Sequence, residues 1–283
     1  MIWILYKEKK MFGTWTQYLE TYRKQFQEAQ PFQHCVIPNF LNDDLARDLS
    51  ETFPTPSSAP ELTWHFYNNP LERKYACNDF SFSSDRMKTI SRVFDEALQS
   101  TELLDYLKQI TGIENLETDP TLHGAGIHFY PHNGKLDIHL DYNIHPKLNK
   151  ERRINIIYYL NKTWDPSWGG DLNFYSKDLD PTKTASVQPM WNTAAVFRTS
   201  DMSYHGLPEP MRCPEGEGRK SLAIYYISPV RENATSRYKA EYIPSPGQPV
   251  SENLAKLYEI RKTRLIQPED MWEDWEKDGN GYW

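Results

Sequence analysis

Cysteine is scarce in this chain. Cys35, Cys77 and Cys213 are the only three in 283 residues, and no two stand in CxxC spacing. So few, and an odd number, exclude a disulfide-stapled scaffold and fit a reducing compartment. Long hydrophobic runs are also missing: Ile2-Trp3-Ile4-Leu5-Tyr6 is too short for a membrane span or a signal core and has no basic residues before it, while Met11 offers a second start. The expectation is a cytoplasmic protein with no membrane attachment. No dense basic run offsets the formal charge of −7, so a general phosphate-binding surface for nucleic acid is not indicated. The basic stretch Lys147 to Arg153 reads as a solvated loop. Neither internal repeats nor low-complexity tracts occur. What remains is an aromatic-rich chain, long enough for one large β-rich domain with added helices or for two small ones.

Periodicity organises the chain into three stretches. Residues 1–112 read as a mainly helical support region. Trp15, Tyr18, Leu19, Tyr22 and Phe26 recur at helical spacing until Pro31, Cys35-Val36-Ile37-Pro38 is a short strand, and Asn42 or Asp43 caps a helix carrying Leu45, Leu49 and Phe53. The aromatic cluster Trp64, Phe66, Tyr67 reads as core packing. Helices follow over Asp85 to Gln99 and Thr101 to Ile110, with Gly112 as the stop. Residues 113–230 change to short strands broken by Gly, Pro and Asn: 126–130, 136–140, 154–160, 171–175, 194–197 and 222–227. Their close spacing suggests a sandwich or jelly roll. Residues 231–283 begin as an irregular Pro-containing tail, resume helix near 251–264 and end acidic and Trp-rich.

Chemistry concentrates in the middle stretch. His139 and Asp141 are two apart in or just after a strand, where imidazole and carboxylate point to one face and can share an ion. His205 offers a third ligand. Two imidazoles and one carboxylate leave further positions open, which suits ferrous iron that must also bind an organic acid and dioxygen; a structural zinc site would close its shell. Fourteen residues after His205, Arg219 presents a planar fork suited to a remote carboxylate, and Ser221 shares its strand face. His145 is the rival to His139, although Asn143 and Pro146 place it in a loop. His34, His65, His123, His128 and His132 read as structural or surface residues.

Further signs run in a fixed order: Phe129-Tyr130-Pro131-His132-Asn133-Gly134, then Ile157-Tyr158-Tyr159-Leu160-Asn161-Lys162-Thr163-Trp164, then Gly169-Gly170-Asp171-Leu172, then the His205 to Arg219 spacing. From Gly126 to Ser228 the chain resembles the catalytic core of the prolyl 4-hydroxylase-like branch of the 2-oxoglutarate oxygenases. The resemblance implies an α+β fold: a double-stranded β-helix (jelly-roll) core with N-terminal helices packed on the sheet and a C-terminal helical extension. It implies Fe(II) held by His139, Asp141 and His205, and 2-oxoglutarate held by Arg219 and Ser221 with Tyr159 and Tyr130 lining its pocket. The turn from Tyr130 to His139 is one residue shorter than in some relatives. Gly169 and Gly170 match a tight strand entry.

The implied reaction consumes dioxygen and decarboxylates 2-oxoglutarate to succinate while hydroxylating an unactivated C–H bond, with ascorbate as reductant. A prolyl residue of a protein or peptide is the leading substrate, with a free amino acid or other small molecule as the alternative, because fold does not transfer specificity. A jelly-roll binding module without turnover is the reading from another class, and the intact ligand set counts against it. Halogenation is disfavoured by the retained Asp141. Nothing in the sequence indicates an oligomeric state.

Overall fold

Side chains alternate across the strand that ends at Tyr159: Ile154, Ile156 and Tyr158 turn one way, and Asn155, Ile157 and Tyr159 the other. This alternation separates an outer core from an inner functional face. The computed structural model describes residues 10–78, 85–178 and 185–276. The apolar run at 2–6 and the last seven residues of the Trp-rich tail lie outside them.

The described strands are β1 (His34–Pro38), β2 (His65–Asn69), β3 (Glu72–Cys77), β4 (Glu117–Thr118), β5 (Gly126–Tyr130), β6 (Lys135–Leu140), β7 (Lys150–Tyr159), β8 (Leu172–Tyr175), β9 (Ala185–Val187), β10 (Thr193–Arg198), β11 (Tyr204–Leu207), β12 (Arg219–Pro229) and β13 (Glu241–Tyr242). The helices are α1 (Leu19–Glu28), α2 (Asp43–Thr52), α3 (Asp85–Arg92), α4 (Thr101–Thr111) and α5 (Glu252–Arg261), and a π-helical stretch, Val93–Leu98, continues α3.

All pairings are antiparallel, in the order β1-β10-β7-β12-β5-β3-β6-β11-β8-β9, with β2 on β3, β4 on β12 and β13 on β6. The run folds back on itself. Phe174 of β8 packs on Phe32 and His34 at the β1 edge, and Phe197 of β10 meets His205 of β11 across the interior. This is the jelly-roll core. Inside it Tyr159, Leu172, Phe174, Ala195 and Phe197 form a small apolar cluster.

The N-terminal helices cover the outer face. Asn42 accepts from the Leu45 amide at 3.0 Å to cap α2, Ser100 accepts from Leu103 at 3.1 Å to cap α4, and Gly112 ends α4 with φ 71°. Phe26, Leu49, Ile90 and Leu107 from these helices pack with Ile154, Ile156, Tyr158, Ile224 and Tyr226 of the sheet, all fully or almost fully buried. Each such side chain contributes about 1.5–3 kcal/mol. At the other end α5 sets Leu254, Leu257 and Tyr258 against Leu71, Leu136 and Tyr242. None of the described helices is long and apolar enough to cross a membrane.

Three sequence expectations need correction. Residues 10–112 hold the expected helices and β1 but also two strands that the pattern does not indicate, β2 and β3, and β3 is an interior member of the sheet path. Of the cluster Trp64, Phe66, Tyr67, Trp64 packs against the core as expected, whereas Phe66 and Tyr67 lie on β2, where Phe66 is 40% exposed and stacks on Tyr75. The basic stretch Lys147 to Arg153 is not a solvated loop. It runs into β7, and Arg152 and Arg153 are buried.

Candidate metal and carboxylate site

Strands β6 and β11 bring the two imidazoles together, with His139 directly opposite His205. Gly206 makes the close approach feasible, since a Cβ there would lie 2.8–2.9 Å from the carbonyl oxygens of Leu136 and Asp137. Each imidazole is aimed by the carbonyl two residues before it. His139 Nδ1 donates to Asp137 O at 2.9 Å and His205 Nδ1 donates to Ser203 O at 2.8 Å, leaving both Nε2 lone pairs directed inward. Asp141 completes the group, its Oδ1 3.7 Å from His139 Nε2 and its Oδ2 3.5 Å from His205 Nε2. One ligand atom from each residue lies within 4.8 Å of the others. These separations are too long for hydrogen bonds and suit donors gathered around one ion. Burial and the neighbouring His139 push His205 down to about 4, so its imidazole is neutral and able to donate a lone pair at neutral pH.

Asp141 is held from behind. Asn155 Nδ2 donates to its Oδ2 at 2.6 Å, Arg152 Nη2 lies 3.3 Å from the same oxygen, and Arg237 Nε donates to its backbone carbonyl at 2.7 Å. Burial alone would raise the Asp141 carboxyl, but Arg152 and the two imidazoles hold it well below the usual range. Arg152 is itself fixed, stacked between the rings of Tyr225 and Tyr142 and donating from Nε to Asn155 at 2.9 Å.

A second set of side chains gathers on the same sheet face. Register puts Arg219 opposite Tyr130, and Ser221 opposite both His128 and Tyr159. Arg219 is 2% exposed, donates to the Tyr159 hydroxyl at 3.2 Å and reaches Ser221 Oγ at 3.5 Å, with the rings of Tyr130 and Tyr159 5.0 and 4.8 Å from its guanidinium carbon. Burial pushes the Tyr159 phenol up to about 12 against the pull of Arg219. The Arg219 Nε is buried without a hydrogen-bond partner, and no carboxylate among the described residues pairs with this guanidinium. A buried Arg without a carboxylate partner is able to receive a small anion. The predicted residues His139, Asp141, His205, Arg219, Ser221, Tyr159 and Tyr130 thus fall into two adjoining groups.

The rival His145 is elsewhere. It accepts at Nδ1 from the amides of Lys147 and Leu148 at 3.1 Å and contacts Asp119 through Nε2 at 3.1 Å, so its bonds are complete. His128, read as structural, instead lines a cavity of about 510 Å³ that opens beside His139 and Asp141. Burial and the charges of Lys74 and Arg219 hold its imidazole well below the usual range.

Sequence reasoning missed Arg152, Asn155, Arg237, Lys74 and Tyr242. Tyr242, carried by β13, stacks on His139 with ring centroids 4.9 Å apart and planes at 17°. Continuing the alternation back from Tyr159 would put Arg153 on the inner face. The register break against Tyr226 and Ile227 of β12 absorbs one residue and turns Arg152 there instead.

Residues 125–227 match the family model of the 2OG-Fe(II) oxygenase superfamily. Among curated proteins, the chain is 26% identical over 207 residues to prolyl 3-hydroxylase OGFOD1 of Mus musculus, covering 71% of this chain and 34% of the mouse protein. The Xenopus laevis protein of the same name is 26% identical over 203 residues, covering 70% of this chain and 35% of its own length. The chain therefore spans about a third of the length of the curated relatives it matches. Among solved structures, the fold is similar to that of a prolyl hydroxylase in complex with a hypoxia inducible factor oxygen degradation domain peptide fragment from Trichoplax adhaerens. The TM-score is 0.55 at 14% identity, over 76% of this chain and 94% of that one. A prolyl 4-hydroxylase from Phytophthora capsici superposes with a TM-score of 0.52 at 17% identity, over 93% and 80%. At these identities the structures speak to the jelly-roll fold alone.

Proposed function

We propose that this chain, which belongs to the 2OG-Fe(II) oxygenase superfamily, hydroxylates a prolyl residue of a peptide or protein while 2-oxoglutarate is decarboxylated to succinate. The observation that carries the reading is the pairing of two incomplete sites: three inward-facing ligands with no bonds to one another, beside a buried Arg219 with no carboxylate. Each arrangement leaves buried polar groups unpaired, and an iron chelated by 2-oxoglutarate would complete both.

In this reading His139, Asp141 and His205 would hold Fe(II), and Arg219 would take the far carboxylate of 2-oxoglutarate, with hydroxyls from Tyr159 and Ser221 beside it. Fe(II) with 2-oxoglutarate and dioxygen supplies an oxidant able to remove hydrogen from an unactivated C–H bond. The protein orients and shields. The Asp137 and Ser203 carbonyls fix both imidazole tautomers, Arg152 and Asn155 keep Asp141 ionised and turned inward, and the apolar cluster around Phe174 and Phe197 excludes water behind His205. The substrate would enter through the cavity on whose wall His139 and Asp141 lie. Ascorbate would serve as the reductant that recovers enzyme after uncoupled turnover, and the buried cysteines accord with a reducing, cytoplasmic setting.

The names of the curated relatives support a prolyl target. The test incubates the protein with a proline-rich peptide pool, Fe(II), 2-oxoglutarate and ascorbate, and follows peptides and succinate by mass spectrometry. A one-oxygen gain mapped to proline, dependent on 2-oxoglutarate, is the expected result. Succinate without peptide modification would move the target to a small molecule, and neither product would leave a binding module.

A further inference from the structure

The cavity wall carries more positive charge than its carboxylates answer. Arg152 is committed to Asp141, but Lys74 of β3 and Arg261 of α5 share a single anion, Glu72. Lys74 Nζ lies 3.7 Å from Glu72 Oε2 and Arg261 Nε 3.6 Å from Oε1, with the two side chains only 13% and 10% exposed. Neither separation is a hydrogen bond. Glu72 gives its one close contact, 3.2 Å, to the Tyr242 hydroxyl, and Arg261 Nε is buried with no hydrogen-bond partner. The trio therefore keeps a net charge of +1 next to the cavity, with donors unspent. Burying such a charge is unfavourable unless an anion arrives to complete it.

Position ties this cluster to the reacting centre. Register through β3 and β5, with Tyr75 opposite Phe129, sets Lys74 beside Tyr130, whose other neighbour is Arg219. The Lys74 ammonium lies 5.2 Å from the Tyr67 ring centroid and 5.9 Å from that of Tyr130. Tyr242, bonded to Glu72 and 5.0 Å under the Arg261 guanidinium, is the ring that stacks on His139. Lys74 and Arg261 line the cavity and Arg219 does not, so an anion they bind comes from the cavity side.

We propose that Lys74 and Arg261 form a subsite for a carboxylate of the substrate, with Glu72 and Tyr242 holding the two cations in place. The inference rests on the prolyl hydroxylase reading and adds a substrate class: either an acidic side chain close to the target proline or the α-carboxylate of a free amino acid. On that reading Arg219, which lies off the cavity wall, receives 2-oxoglutarate, so the two carboxylates are bound at separate places.

The experiment measures binding without turnover, by calorimetry on protein loaded with redox-inactive zinc and 2-oxoglutarate. Two matched pairs are titrated: a proline peptide with Glu beside the proline against its Gln twin, and L-proline against L-prolinamide. The acid of at least one pair should bind about tenfold or more tightly than its amide, the strength of one charge-assisted contact. Lys74→Met should abolish that preference and Lys74→Arg restore most of it, with 2-oxoglutarate affinity unchanged in both. Which pair shows the preference identifies the source of the carboxylate. Equal binding of acid and amide, no binding by any of the four, or a preference that survives Lys74→Met while only the melting temperature falls would each overturn the subsite and leave a structural ion cluster. An acid preference without a one-oxygen gain on iron would sink the prolyl reading and keep the subsite.

Discussion

Two buried histidine–aspartate pairs lie in the same chain and are built on opposite principles. In the first, His139 and Asp141 stay 3.7 Å apart while a backbone carbonyl takes the other ring nitrogen. In the second, His145 and Asp119 touch at 3.1 Å, two amides satisfy the other nitrogen, and Asp119 further accepts from Thr121 and His123. The second pair is complete as it stands; the first is a set of lone pairs waiting for a cation. Residue type does not distinguish a ligand from a structural histidine. What separates these two pairs is whether the ring meets its carboxylate or stands off it with the facing nitrogen unbonded.

The largest effect should come from breaking the incomplete pair. Asp141→Ala removes the only carboxylate of the triad, and turnover and Fe(II) binding should both be lost while the fold persists, because the ligand is not part of the core. Calorimetric titration with Fe(II) under nitrogen checks it, and retained coupled hydroxylation would refute the ligand assignment.

Next in size is the anion side of the same face. Arg219→Ala should raise the 2-oxoglutarate KM by about 10–100-fold, the equivalent of ~1.5–3 kcal/mol for hydrogen bonds to a charged group. Arg219→Lys should fall between, because an ammonium cannot match both carboxylate oxygens. Succinate release against 2-oxoglutarate concentration measures both, and an unmoved KM would put the carboxylate elsewhere.

The grouping of His139 with Asp141 and of Arg219 with Ser221 was legible in the sequence because residues two apart on extended backbone share a face: His139 lies in β6 with Asp141 just past its end, and Arg219 and Ser221 open β12. The residues that hold them were hidden for a physical reason. Arg152 reaches the inner face only through a break in register, which reverses the parity that reading depends on. Tyr242 and Arg237 come from a stretch of low regularity whose role is set by pairing with β6 and by bonds to Asp141 and Asn143, contacts of long sequence separation. Lys74 sits on a hairpin whose polar, half-buried strands show no apolar alternation.

Arg152 therefore tests the support rather than the ligand. Arg152→Met keeps its bulk between Tyr142 and Tyr225 but frees Asp141, and metal affinity should weaken about 10–100-fold, the range for residues that orient a ligand. 2-Oxoglutarate binding through Arg219 should change less. Metal affinity equal to the wild type would mean that Asn155 alone fixes the carboxylate.

The smallest effect on chemistry should come from the complete pair. Asp119→Asn and His145→Ala should leave metal binding and turnover near wild type and cost about 1–3 kcal/mol of stability, the penalty for buried groups left without partners. The pH dependence separates them further. Burial alone would raise the Asp119 carboxyl, but its bonds from Thr121 and His123 and the nearby His145 hold it below the usual value. A depressed folded pKa stabilises above the unfolded value, roughly pH 4, and that stabilisation is lost as pH falls through the folded one. Thermal melts from pH 7 downward should show wild type and Asp119→Asn converging below about pH 4. A gap that stays constant into that range would mean that the carboxylate's charge contributes nothing, and that the second pair is held by hydrogen-bond geometry alone.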